Sequence, residues 1–220
     1  MRIPSFIVLV VTLLVIAAGC MVHTGVTHTV KRGENLWRIC YTYGVDMQEV
    51  AELNNIRDPA RIRAGRRLFI PRAGKVRKVR PVSPASVGKY PTKVVYDRGR
   101  FSWPITGEIS SNFGVRGGSR HDGIDIRAPE GTPIRAAADG VVVYDDKYMR
   151  GYGRIIILKH PEDFFTVYAH NKTNMVGRGD RVKRGTVIAT VGRSGNATGS
   201  HLHFEVRRGK TVRNPLFFLP

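Results

Sequence analysis

Acidic side chains are scarce in this 220-residue chain: 17 Asp and Glu stand against 36 Lys and Arg, giving a formal net charge of +19 at pH 7 and an isoelectric point near 10.7. Such an imbalance fits a polyanionic partner, and nucleic acid is the first class to weigh. Cysteine is scarcer still, with Cys20 and Cys40 alone and no Cys-x-x-Cys pair, which excludes the redox and zinc sites built on that spacing. There is no His-Glu-x-x-His helix and no Gly-x-Ser-x-Gly elbow. Gly209-Lys210-Thr211 has the ending of a phosphate loop, but Phe204 stands where the upstream glycine is required and no helix is signalled afterwards. The uncharged apolar run from Phe6 to Ala18 falls short of the about 20 residues that a membrane-spanning helix needs.

That run, preceded by Arg2, has instead the length of a signal-peptide core. It ends at Ala17-Ala18-Gly19-Cys20, which resembles a bacterial lipobox, with Ala17 departing from the preferred Leu. The resemblance implies a lipoprotein signal peptide over residues 1–20 and Cys20 as the lipidated, membrane-anchored first residue. Met21 rather than Asp follows, which by similarity to sorted Gram-negative lipoproteins implies the periplasmic face of the outer membrane. An uncleaved anchor through Val22 would also leave the rest of the chain outside. Export argues against nucleic acid and favours polyanionic envelope surfaces and carboxylate-bearing wall peptides, with merely solubilising charge as the alternative. Cys40 then has no partner in an oxidising compartment and is expected to be buried. Leu36, Ile39, Cys40 and Tyr43 fall at helical spacing, so Cys40 reads as a small core hydrophobe; a Cys20–Cys40 disulfide is the alternative if lipidation fails.

The following segment reads as strand, two short helices and strand. Asn35 suits the cap of the first helix, and Asp46 with Glu49 three residues on suits the start of the second. His28-Thr-Val-Lys-Arg-Gly-Glu-Asn-Leu-Trp-Arg38, Tyr43-Gly-Val45, Leu53-Asn-Asn-Ile56 and Leu68-Phe-Ile-Pro71 together resemble a LysM domain, over residues 26–71. The resemblance implies binding of N-acetylglucosamine-containing glycans, with a groove at Gly33, Glu34, Asn35 and Leu36 and at Asn54, Asn55 and Ile56. Asn54-Asn55 also suits a helix C-terminus. Residues 72–98 carry Lys75, Arg77, Lys78, Arg80, Lys89 and Lys93 among Pro81, Pro84 and Pro91, and read as a basic, extended linker without a core-forming period. It holds no His, Asn or Cys, and Asp97 is its only acid, so few of its residues could reach a metal.

Residues 99–220 read as strands. Val141–Tyr144, Arg154–Leu158, Phe165–Tyr168, Thr186–Thr190 and His203–Arg207 are β-branched or aromatic runs without a long helical period between them. Asp139-Gly140 is a hairpin-type dipeptide, and Gly151-Tyr-Gly153 a second turn. Among these runs lie His121-Asp-Gly-Ile-Asp125, Tyr168-Ala-His170 and His201-Leu-His203. In an extended strand His121 and Asp125 would stand roughly 13 Å apart, too far to share one ion, so the chain must bend between them, and Gly123 permits it. His201 and His203, two apart, point into one cavity. His160 reads as a polar strand end, and His23 and His28 lie outside the motifs; none of the three is given any chemistry.

With Ser111-Asn-Phe-Gly-Val-Arg116, Ala138-Asp-Gly-Val-Val142 and His201-Leu-His-Phe-Glu205 around them, these motifs resemble the lysostaphin/LytM-type zinc metallopeptidases from about Phe101 to Pro220. The resemblance implies a mainly antiparallel β peptidase domain with zinc in a groove. Its ligands are then His121, Asp125 and His203, with a fourth position open to water, and His170 and His201 are the catalytic pair, in an order left open. Zinc brings water toward neutral acidity, so no glutamate base is required. The reading is a lipid-anchored zinc endopeptidase that binds peptidoglycan and hydrolyses its cross-link peptides. The alternative is a non-enzymatic, NlpD-like activator of cell-wall amidases, a branch that shares this domain order and typically lacks some metal ligands. A purely structural glycan-binding lipoprotein leaves the complete ligand set unexplained.

Overall fold

The computed structural model describes residues 24–79, 93–116 and 119–220. The expected signal peptide with Cys20, and residues 80–92 of the linker, lie outside the described residues. The N-terminal unit is β1 (Gly25–Thr29), α1 (Leu36–Tyr43), α2 (Met47–Leu53) and β2 (Arg67–Pro71), with β2 antiparallel to β1. Both helices begin at the expected caps: the Asn35 side chain accepts from the Arg38 amide at 2.9 Å, and Asp46 accepts from the Glu49 amide at 2.8 Å. Gly44, left-handed at φ 69°, ends α1. α1 buries Leu36, Ile39, Cys40 and Tyr43, the four residues its spacing selects. Cys40 is a free thiol that burial pushes up to about 12, which leaves it inert.

The larger unit runs through β3 (Glu108–Ser111), β4 (Gly114–Arg116), β5 (Ser119–His121), β6 (Ile124–Arg127), β7 (Pro133–Arg135), β8 (Gly140–Met149), β9 (Gly153–Lys159), β10 (Phe164–Asn174), β11 (Arg181–Val182), β12 (Val187–Val191), β13 (His201–Arg208) and β14 (Thr211–Arg213). Its antiparallel sheet follows β11-β8-β9-β10-β13-β6-β3, with β12 pairing β10 and β7, and β14 pairing β13. β4 and β5 form a separate two-stranded ribbon. The five expected β runs fall in β8, β9, β10, β12 and β13. Gly151 and Gly153, at φ 84° and 66°, turn β8 into β9 as expected. The hairpin expected at Asp139-Gly140 is not formed, because this dipeptide joins β7 to β8 and these pair with other strands. Asp139 instead accepts from Lys183 Nζ at 2.9 Å and from the Arg184 amide at 2.8 Å.

The basic stretch expected to be an extended spacer packs at its described ends. The Arg77 amide donates to the Tyr43 hydroxyl at 2.8 Å, and Val79 is buried. Val95 exchanges two hydrogen bonds with the Gln48 side chain, while the Tyr96 hydroxyl donates to the Ile56 carbonyl at 2.7 Å and its ring stacks on Phe217. Backbone polar groups that lack a strand partner thus find one on the helices, a form of packing that leaves no apolar period. A continuous apolar core runs from Leu36 and Val50 in the helical unit to Ile124, Phe204 and Phe217 in the β unit.

Candidate metal centre

β13 alternates: Leu202, Phe204 and Val206 are fully buried on one face, so His201, His203, Glu205 and Arg207 share the other. β6 sets Asp125 directly opposite His203, and β5 ends at His121. The chain bends at Asp122-Gly123, as the ligand spacing demands. The need for glycine there is close approach rather than unusual backbone: a Cβ on Gly123 would lie 2.4 Å from the Phe204 carbonyl oxygen.

Three ligand atoms converge. His203 Nδ1 is 2.8 Å from Asp125 Oδ1, and His121 Nε2 is 3.1 Å from both. The opposite nitrogen of each ring is tied outward. His121 Nδ1 donates to the Asn112 carbonyl at 2.8 Å, and His203 Nε2 donates to Glu205 Oε1 at 3.0 Å. Those acceptors fix the tautomers and leave His121 Nε2 and His203 Nδ1 as lone-pair donors beside a carboxylate oxygen. This is the donor set zinc takes, with the outer partners that orient metal-binding histidines, so the residues fit the ion. Burial disfavours a charged Asp125, yet the adjoining His121 and His203 rings hold its carboxyl well below the usual range. Burial likewise opposes a charged His203, but Asp125 and Glu205 raise it to about 9, so a metal bound there would displace a proton from this ring.

His170 and His201 stand beside this cluster with ring centroids 4.9 Å apart, edge to face. His170 occupies a β-bulge, where the β10 register skips from Ala169 to Asn171, and its φ of 63° is left-handed, a strained conformation typical of functional positions. Its Nδ1 donates to the Ser194 carbonyl at 2.8 Å; His201 Nδ1 donates to the Gly199 carbonyl at 2.9 Å. His170 is therefore held with Nε2 as an acceptor, while His201 Nε2 stands 3.7 Å from Asp125 Oδ1. Burial, and then repulsion from His203, lower His170 to about 4, so it is neutral near pH 7.

Residues 119–215 match the profile of peptidase family M23, and residues 28–71 that of the LysM domain. Across 97% of its length the chain is 37% identical to the Escherichia coli K12 protein named "Uncharacterized lipoprotein YgeR", 92% of which is covered. The chain belongs to peptidase family M23. A LysM domain precedes its M23 domain, and it is 31% identical to the murein hydrolase activator NlpD of the same strain over 90% of this chain and 69% of that protein. The solved putative M23 peptidase of Pseudomonas aeruginosa matches with a TM-score of 0.50 at 32% identity, over 56% of this chain and 51% of that one.

Beneath the ligands the M23 domain buries a polar network that motif reading passes over. Tyr152 Oη donates to Glu205 Oε1 at 2.8 Å, and Arg207 Nε donates to Glu205 Oε2 at 2.6 Å. Burial opposes ionisation of Glu205, but His203 and Arg207 lower it to about 2, so it is a carboxylate at neutral pH. The available signal is the strand alternation itself, which places Glu205 and Arg207 in line with the two histidines. His160 is a buried structural ring, donating from Nδ1 to the Asp139 carbonyl at 2.7 Å with Nε2 2.7 Å from Thr166 Oγ1.

In the LysM domain the two expected groove edges differ. Gly33 and Asn35 are exposed, Leu36 is buried, and Glu34 accepts from the Lys31 amide and lies 2.8 Å from His28 Nε2. At the other edge Asn54 and Asn55 are half-buried with their side chains engaged, and Ile56 is buried. Asn54 is spent inside the domain on the Val50 and Phe69 backbone; Asn55 bonds to the M23 domain; Ile56 is buried beneath Tyr96. The chain end of α2 needs those side chains for its own cap and for docking.

Proposed function

We propose that the chain is a zinc endopeptidase of the cell envelope that hydrolyses peptidoglycan cross-link peptides, with His121, Asp125 and His203 as zinc ligands and His170 and His201 as the proton-transfer pair. The observation that carries this reading is the convergence of His121 Nε2, Asp125 Oδ1 and His203 Nδ1 beside two further histidines, His170 and His201, each anchored through Nδ1 to a main-chain carbonyl. Zinc held there supplies a Lewis acid that polarises a peptide carbonyl and brings water toward neutral acidity. His170, neutral and fixed by Ser194, accepts a proton at Nε2. His201, when its Nε2 beside Asp125 carries a proton, takes the complementary place as donor to the oxyanion or the leaving amine. Glu205 is not the base, since both its oxygens are committed to His203, Tyr152 and Arg207.

The LysM domain would hold the enzyme on the glycan strands through the edge that Gly33 and Asn35 expose. Lipidation at Cys20 would tether it to the periplasmic face of the outer membrane; the lipoprotein names of its relatives support the envelope location. A second reading, activation of amidases, is supported by the relative named murein hydrolase activator. Purified sacculi digested by the soluble chain, with and without a chelator, separate the two. Chelator-sensitive release of peptide-cleaved muropeptides is expected. A chain that binds no zinc and releases nothing, yet stimulates a purified amidase, would replace the enzyme reading with the activator.

A further inference from the structure

The ribbon of β4 and β5 carries His121 yet lies off the large sheet. Two-stranded ribbons are marginal by themselves, so the position of this ligand depends on what braces them. One side of the Asn112–Gly114 segment faces the metal centre, where the Asn112 carbonyl accepts from His121 Nδ1 and Gly114 pairs with His121 across the ribbon. The other side faces the LysM domain. Asn55 Nδ2 donates to the Phe113 carbonyl at 3.1 Å, and Gly114 approaches α2 so closely that a Cβ there would lie 2.4 Å from the Leu53 carbonyl oxygen.

Asn55 is itself fixed. It is left-handed at φ 52°, and its Oδ1 accepts from Asn214 Nδ2 at 2.8 Å. Asn214 Nδ2 also donates to the Glu52 carbonyl, while the buried Glu52 carboxylate accepts from Arg213 Nη2 at 2.6 Å and from the Asn214 amide at 3.1 Å. Removing Arg213 from this half-buried pair leaves the buried Glu52 carboxylate without its charged partner at the domain boundary, which is costly.

We propose that the docked LysM domain is part of the support of the metal centre, with Asn55 as a positioning residue that holds the Asn112–Gly114 segment and through it His121. The proposal rests on the zinc reading above, and the test keeps the two apart. Zinc affinity is measured by competition with a chromogenic chelator, on the chain from residue 21 onward and on three variants. Asn55→Asp keeps the acceptor and the left-handed backbone but deletes the donor to Phe113. Arg213→Ala loosens the docking. Glu49→Ala, on the same helix, opens only the pair with Arg72 and serves as control. The first two should bind zinc roughly tenfold more weakly, by analogy with loss of an outer-shell partner, and the absorption spectrum of their cobalt forms should shift as His121 relaxes. The control should match wild type in both. Wild-type affinity and an unchanged cobalt spectrum in Asn55→Asp and Arg213→Ala would overturn the proposal, as would equal weakening in Glu49→Ala. A wild-type chain without zinc would remove the metal reading and this one with it.

Discussion

Glu205 lies two residues beyond His203 on the same face of β13, and its Oε1 takes the Nε2 proton of that ring at 3.0 Å. The carboxylate thus raises the basicity of Nδ1, the nitrogen that faces His121 and Asp125, and fixes the ring about its axis. Tyr152 and Arg207 hold the carboxylate in turn, so His203 has no alternative orientation of comparable hydrogen bonding.

Glu205→Gln keeps the size and can still accept from His203, but removes the charge. Zinc affinity should fall roughly 10- to 100-fold. Chelator competition measures it directly, and an unaltered affinity would show that the carboxylate is only structural.

Ligand and proton-transfer roles separate on adjacent positions of one strand face. His203→Ala should lose both zinc and peptide hydrolysis. His201→Ala should keep zinc while turnover drops roughly 100-fold or more. Metal content and muropeptide release on the same preparations check the pair; loss of zinc from the His201 variant would move that residue among the ligands.

The left-handed backbone at His170 has a measurable cost. His170→Gly and His170→Ala delete the same ring and the same bond to Ser194, so both should be inactive. The glycine variant should nevertheless be more stable than the alanine variant by about 1 kcal/mol, because only the latter pays the Cβ penalty at φ 63°. Equal urea midpoints would mean the bulge relaxes once the imidazole is gone.

His160 gives the stability a pH dependence of definite sign. Burial lowers its pKa below the ordinary 6.5. As pH falls through 6.5 the unfolded ring takes a proton that the folded ring refuses, so the unfolded state binds more protons and stability declines. Above that range the contribution is fully restored. His160→Gln should flatten this part of the urea-midpoint profile, and a profile as steep as wild type would assign the decline to other groups.

The clustering of His121, Asp125, His170, His201 and His203 was legible because each motif is local: period two in a strand aligns His201 with His203, and a shared site requires a bend between His121 and Asp125. Their supports are mostly main-chain carbonyls, of Asn112, Ser194 and Gly199, which carry no residue signature. Glu205 and Arg207 had a signature, in the alternation of β13, but their partner Tyr152 comes from the turn between β8 and β9. The Asp139-Gly140 signal failed because strand partners are chosen by the whole sheet and not by the dipeptide between them. Docking was invisible for a related reason: Glu52 meets Arg213 across a separation of 161 positions, and polar side chains leave no period.

That docking changes what removal of the LysM domain should do. With a free spacer, deleting residues 26–71 would weaken binding to sacculi and leave cleavage of small soluble muropeptides untouched. In this structure the deletion also strips Arg213 of its carboxylate, Asn214 of two partners, Phe113 of the Asn55 donor and the Tyr96 hydroxyl of its Ile56 acceptor. Sacculus binding, soluble-substrate hydrolysis and the thermal midpoint of the M23 domain should therefore all fall together. Intact hydrolysis and an unchanged midpoint in the deleted chain would mean that the two domains act as independent modules.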